Sequence, residues 1–108
     1  MPTFLARFTR DVTLAAGVAQ AIDLPIDGAR DWSVVVANTG DTNSVTAATL
    51  ARSPLGTLFG PATALPTGIP LAPGAALEFL GEGEPVTTLR LALTSTSGTT
   101  VRIEGGGW

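Results

Sequence analysis

A chain of 108 residues is enough for one domain around one core. A domain this size buries roughly 65% of the surface its unfolded form exposes, so it folds without covalent staples. The sequence holds no cysteine and no histidine, which excludes disulfides, thiolate chemistry, zinc sites and the usual catalytic triads. Six basic residues, all arginine, face nine acidic ones for a formal net charge of −3, a poor balance for binding nucleic-acid backbones.

Thirteen glycines and eight prolines are spread along the chain and leave no room for a long helix. Between them run short segments rich in Val, Leu, Thr and Ala, which predict strands over 4–8, 12–14, 19–24, 32–38, 45–52, 58–62, 76–80, 88–94 and 99–104. The expected fold is all-β, an antiparallel β-sandwich of immunoglobulin-like or jelly-roll-like form, with residues 1–108 as a single domain.

At the N-terminus, "MPTFLARFTRDV" lacks an uninterrupted apolar segment of signal-peptide length. Nor does any stretch approach the ~20 apolar residues of a membrane helix. The expectation is a protein made in a cytoplasm, with no membrane and no nucleic-acid partner. Residues 1–10 are expected as an N-terminal arm, on which Phe4 and Phe8 share one face, either as core or as an exposed stripe. Asp23, Asp27 and Asp31 recur every fourth residue, but Pro25 and Gly28 oppose a helix and favour a polar bend before Trp32. The run "WSVVVA" is apolar on both faces, with Trp32 expected in the core, and predicts a central strand covered on both sides. "NTGDTNS" supplies Asp41 and Asn43 as oxygen ligands for calcium, yet lacks the acidic cluster of a calcium loop and reads as a tight turn.

Small side chains give "VTAATLA" a shallow surface, suited to a partly exposed strand or to close approach by another chain. Residues 54–74, dense in proline and glycine, predict a long connection crossing between sheets. In "GEGEP", Glu82 and Glu84 would share a face if extended, but Pro85 closes what reads as a solvated turn. No site for catalysis, cofactor or metal emerges, and the chain is not expected to be an enzyme.

The final segment specifies a hairpin. In "LRLALTSTSGTTVRIE", Leu89, Leu91 and Leu93 alternate with polar or small residues, as do Val101 and Ile103. Setting Leu93 opposite Val101 and Leu91 opposite Ile103 leaves a loop of Thr96, Ser97 and Gly98, with glycine where a left-handed residue is needed. The same register sets Arg90 against Glu104 and Thr94 against Thr100. Beyond it, "GGGW" reads as a flexible tail over 105–108, a glycine tether that lets Trp108 reach a pocket on its own sheet or on a neighbouring chain.

"VTLAAGVAQAIDLP", "VVVANTGDT", "LAPGAALEF" and "LRLALTSTSGTTVRIEG" occur in that order along most of the chain. In this the sequence resembles small all-β structural proteins of tailed bacteriophage virions, with residues 54–74 fitting the pattern least. The resemblance implies a virion protein without catalytic residues, of the capsid decoration or cement kind, that stabilises the head by bridging neighbouring capsid subunits. Its implied partners are the major capsid protein or another virion protein, together with further copies of itself as a homo-oligomer. Trp108, Phe4 and Phe8 are the candidate interface residues. A fibre or adhesin module recognising a glycan or host surface is the alternative, although Trp108 would be its sole conspicuous ring.

Overall fold

The computed structural model describes residues 5–65, 68–83 and 85–108. Among them are eight strands: β1 (Ala6–Leu14), β2 (Gln20–Ala29), β3 (Trp32–Asn38), β4 (Ala47–Ser53), β5 (Thr63–Ala64), β6 (Ala76–Gly81), β7 (Val86–Thr94) and β8 (Thr99–Gly107). The pairing has a simple rule. β1 pairs with β8, β2 with β7, β3 with β6 and β4 with β5, all antiparallel, so the chain is one long hairpin folded back at the β4–β5 loop. Rolled up, that hairpin gives two four-stranded sheets in the orders β1-β8-β3-β6 and β2-β7-β4-β5. This is the strand order of an eight-stranded jelly roll.

Alternation along the strands builds the core between the sheets. β3 buries Trp32, Val34, Val36 and Asn38 and leaves Ser33, Val35 and Ala37 half-buried on the outer face. From the other sheet, Leu89, Leu91 and Leu93 of β7 meet them, with Leu24 and Ile26 of β2. Burying a side chain of this size stabilises the fold by roughly 1.5–3 kcal/mol. β2 keeps its apolar residues inward through a bulge, where Asp27 at φ 56° and Gly28 at φ 79° take up the extra length.

Asn38 is the buried polar pin of the sandwich. Its Nδ2 donates to the carbonyls of Asn43 and Leu71, each at 2.9 Å, and its Oδ1 accepts from Gly40 N at 3.0 Å and Thr99 Oγ1 at 2.9 Å. The "NTG" segment is therefore a turn organised by its own asparagine.

Four expectations need correction. The C-terminal hairpin with the Thr96-Ser97-Gly98 loop does not form, because β7 and β8 belong to opposite sheets and the loop crosses the sandwich. Leu93 lies opposite Gln20 and Ala48, and Val101 opposite Val12 and Asn38. Two alternating strands that share a core satisfy their pattern equally well side by side or face to face, so alternation could not separate the two arrangements. Arg90 accordingly pairs with Asp23 of β2, and Glu104 is engaged by Arg102 of its own strand. Gly105, Gly106 and Gly107 are no tether, since all three are paired to β1 on one side and β3 on the other. Within the expected N-terminal arm, residues 6–10 are the first half of β1, a single strand where two were predicted. Residues 58–62 form no strand; the two-residue β5 follows them instead.

Candidate binding face

The registers of β1, β8, β3 and β6 lay out the outer face of the first sheet row by row. One row reads Arg7, Gly106, Ser33 and Leu80, and the next Thr9, Glu104, Val35 and Glu78. At the end of the sheet stands Trp108, locked to the residue before β3 by two backbone bonds, Trp108 N to Asp31 O at 2.8 Å and Asp31 N to Trp108 O at 3.2 Å. Leu5 and Leu80 are more than half exposed on the same sheet, at 59% and 57%.

The glycines explain themselves one at a time. A Cβ on Gly107 would stand 2.6 Å from the Ala29 Cβ, and one on Gly105 would overlap the Ser33 carbonyl and the Phe8 ring. Both point inward, where no space exists for a side chain. Gly106 points outward, at a position where glycine costs roughly 0.5–1 kcal/mol relative to alanine. Gly106 is itself buried, and it lines a hollow of about 860 Å³ together with Arg7, Thr9, Ser33, Val35, Glu104 and Trp108. A second hollow of about 300 Å³ lies against Trp108, lined also by Asp31, Trp32, Leu80, Gly81 and Glu82.

Charged groups on this sheet pair with one another. Glu104 Oε1 accepts from Arg102 Nε at 2.9 Å, and Asp11 lies 3.8 Å from the same guanidinium. The hydrogen bond to Glu104, then the charges of Asp11 and Glu104, hold Arg102 above its ordinary range. Ser33 Oγ donates to Glu78 Oε2 at 3.5 Å, a long bond.

The second sheet carries a different feature. Between β4 and β5 the loop presents Leu55 and Leu58, each 82% exposed. It is nevertheless tied down: Gly56 N donates to Ser53 Oγ at 2.8 Å, Thr87 Oγ1 to the Pro54 carbonyl at 2.6 Å, and Gly60 N to the Arg52 carbonyl at 2.9 Å. Phe59 lies under Arg90, whose guanidinium is 3.9 Å from the ring centre and also bonds both Asp23 oxygens at 2.7 and 3.0 Å. That bonding, with the Arg90 charge, lowers the Asp23 carboxyl below its ordinary range against a smaller opposing effect of burial.

Of the expected interface residues, Phe8 is 6% exposed and belongs to the core cluster, so it is not offered to a partner. Phe4 lies outside the described residues, as does Glu84 of the "GEGEP" pair. Trp108 is half-buried beside both hollows. The "NTGDTNS" turn borders a further hollow of about 330 Å³ whose one carboxylate is Asp41, too little charge for calcium. Among the described residues no three acidic groups gather as a metal site, and no helix is long and apolar enough to cross a membrane. Sequence reasoning does not single out Leu55 and Leu58, because it assigns Leu58 to a strand over 58–62 and Leu55 to the turn before it.

No protein-family model matches the chain, and no curated protein matches it in sequence. Among solved structures it is similar to a Yersinia pseudotuberculosis-derived mitogen, at 11% identity and a TM-score of 0.57, over 95% of this chain and 86% of the mitogen. It is also similar to the VP2 subviral particle protein of infectious bursal disease virus, at 11% identity and a TM-score of 0.43, over 98% of this chain and 34% of that one. The SPBc2 prophage-derived protein YomS is similar at 10% identity and a TM-score of 0.40, over 99% of this chain and 100% of YomS. At such identities the likeness to the mitogen is one of fold.

Proposed function

We propose that this jelly-roll domain is a virion structural protein, a capsid decoration protein that docks on the head and acts through contact and not through catalysis. The observation that carries the reading is the pair Leu55 and Leu58, each 82% exposed on a loop whose backbone is fixed to β4 and β7. Paired exposed leucines on a fixed loop are what a docking contact needs, because little ordering entropy remains to be lost on binding. The order of the "VTLAAG", "VVVANTG" and "LAPG" segments, which resembles bacteriophage structural proteins, supplies the partner. That partner is the major capsid protein or another virion protein, and further copies of the chain repeat the contact by symmetry. The absence of histidine and cysteine agrees with a protein that performs no reaction.

The anchor is thus the β4–β5 loop, in place of Trp108 on a tether. The test is to mix the purified protein with empty capsids of its own source and image them by electron microscopy. Density for the protein at symmetry-related positions is expected, and replacing Leu55 and Leu58 with serine should remove it. Capsids left bare by the wild-type protein would refute the reading.

A further inference from the structure

Two open sheets leave four strand edges, β1, β6, β2 and β5, and three of them are blunted. β1 carries Arg7, Arg10 and Asp11, and Arg10 Nη1 occupies the Thr9 carbonyl at 3.1 Å. β2 holds Pro25 and the bulge at Asp27 and Gly28, and β5 is two residues long. Charge, proline, bulges and shortness are the devices that keep edges from joining. β6 has a single charge, Glu78, and none of the others. Even that carboxylate is drawn back over β3, where Ser33 Oγ donates to its Oε2 at 3.5 Å. We infer that β6 is a self-pairing edge, at which a second copy of this chain adds its own β6 antiparallel across a two-fold axis.

The backbone shows which groups are open to such a partner. Asn38 N donates to the Ala75 carbonyl at 2.9 Å, and Thr39 N, on the other side of the chain, to the Thr100 carbonyl at 2.9 Å. Alternate residues of a strand bond to the same side. Trp32, Val34 and Val36 therefore bond toward Gly81, Phe79 and Leu77, and β6 turns the N–H and C=O of Ala76, Glu78 and Leu80 away from its sheet. Among the described residues no strand lies on that side.

Side chains select the register and the occupant. Two registers match open groups to open groups over most of the strand. One sets Glu78 against its own symmetry mate, which like charges oppose. The other sets Glu78 against Leu80 on the outer face, and on the inner face Leu77 against Gly81 and Phe79 against Phe79. The two Phe79 Cα atoms would then stand about 4.5 Å apart. Leu77 and Phe79 are half-buried, packed on the core from one side, and Leu80 is 57% exposed, so a second copy supplies cover that each lacks. Gly81 opposite Leu77 leaves room where Gly68 already lies against that side chain. The edge is thus complementary to itself, aromatic to aromatic, leucine to glycine and carboxylate to a neutral side chain, which favours a second copy over an unrelated strand. An edge of six residues buries less than the roughly 800 Å² per partner of a standard interface, so the dimer dissociates on dilution.

This pairing is independent of capsid docking, which uses Leu55 and Leu58. Sedimentation equilibrium of the whole chain, over a dilution series reaching millimolar protein, should show monomer and dimer in exchange. In the same series, amide hydrogen exchange read by NMR should slow at Glu78 and Leu80, whose N–H groups gain partners. Leu77 and Phe79, already bonded to β3, should not change. Leu80→Glu sets a second carboxylate against Glu78, twice in each dimer, and should weaken association by about tenfold, whereas Leu80→Lys should strengthen it by a similar factor. Position 80 is exposed, so both variants should keep the melting temperature. If either does not fold, the exchange measurement on the wild type decides. Serine at positions 55 and 58 should leave the dimer constant unchanged, so self-pairing and capsid docking can fail separately. A chain that stays monomeric at every concentration, a dimer without protection at Glu78 and Leu80, or equal effects of Leu80→Glu and Leu80→Lys would overturn the assignment.

Discussion

Thr99 Oγ1 donates a hydrogen bond of 2.9 Å to Asn38 Oδ1, joining the first residue of β8 to the last residue of β3. The same amide also binds Gly40, Asn43 and Leu71, so one side chain holds β3, its turn and the segment before β6 together. Asn38→Ala would strand buried donors and acceptors on several elements at once. The expected loss is about 3 kcal/mol of unfolding free energy, read by chemical denaturation. Thr99→Val, which removes one partner, should cost about 1 kcal/mol. Equal effects of the two variants would contradict the view of Asn38 as a hub.

Gly81 lies opposite Trp32, and a Cβ there would overlap the indole ring. Gly81→Ala must therefore displace the largest buried side chain, which also stacks edge-on against Phe79 at 6.0 Å. We expect a loss of about 1–3 kcal/mol from overpacking, with a change in Trp32 fluorescence. Gly74→Ala is the control, because its left-handed φ of 78° is unfavourable but open space surrounds it. A variant at 74 that perturbs the Trp32 signal as strongly would show that the effect is not local.

Leu55 and Leu58 contribute almost nothing to the core they stand outside. Replacing both with serine should change stability by less than about 0.5 kcal/mol, while capsid binding is lost. Thermal melts beside capsid co-sedimentation separate these outcomes. A large drop in melting temperature would mean that the leucines are structural.

Arg90 is shared between Asp23 and Phe59, so it couples β2, β7 and the β4–β5 loop. The Asp23 carboxyl is held below its ordinary range mainly by the hydrogen bond from Arg90. A lowered folded value means that this stabilisation is present above the unfolded carboxyl's pKa of about 3.9 and is lost as pH falls through the folded value. Both side chains are about half exposed, so the contribution is small. Asp23→Asn should lower the melting temperature at neutral pH, and the gap to wild type should close in strong acid. A gap that is constant with pH would exclude the ion pair as its cause.

Strand positions and inward faces were legible wherever alternation was unbroken. Trp32, Val34 and Val36 and the Leu89, Leu91 and Leu93 series point as their spacing predicts. Partners were not legible. Arg90 and Glu104 have opposite charges and a plausible register, yet each finds a nearer partner once β7 and β8 face one another across the core. The glycines misled for a related reason. Gly105 and Gly107 read as loose when the colliding groups, Phe8, Ser33, Ala29 and Ile26, are distant in sequence and meet them only after the sheets close.

The sequence by itself determined an all-β chain, the residues that turn inward and the chemistry that is missing, because those follow from period, composition and local turn preference. The tertiary structure alone decided which strands pair, that the last loop crosses between sheets, and that Gly105 and Gly107 pack where no side chain fits. Pairing and such packing arise from contacts between segments far apart in the chain. A strand with one apolar face is satisfied by any core that covers it, so only the closure of the whole sandwich selects its neighbours.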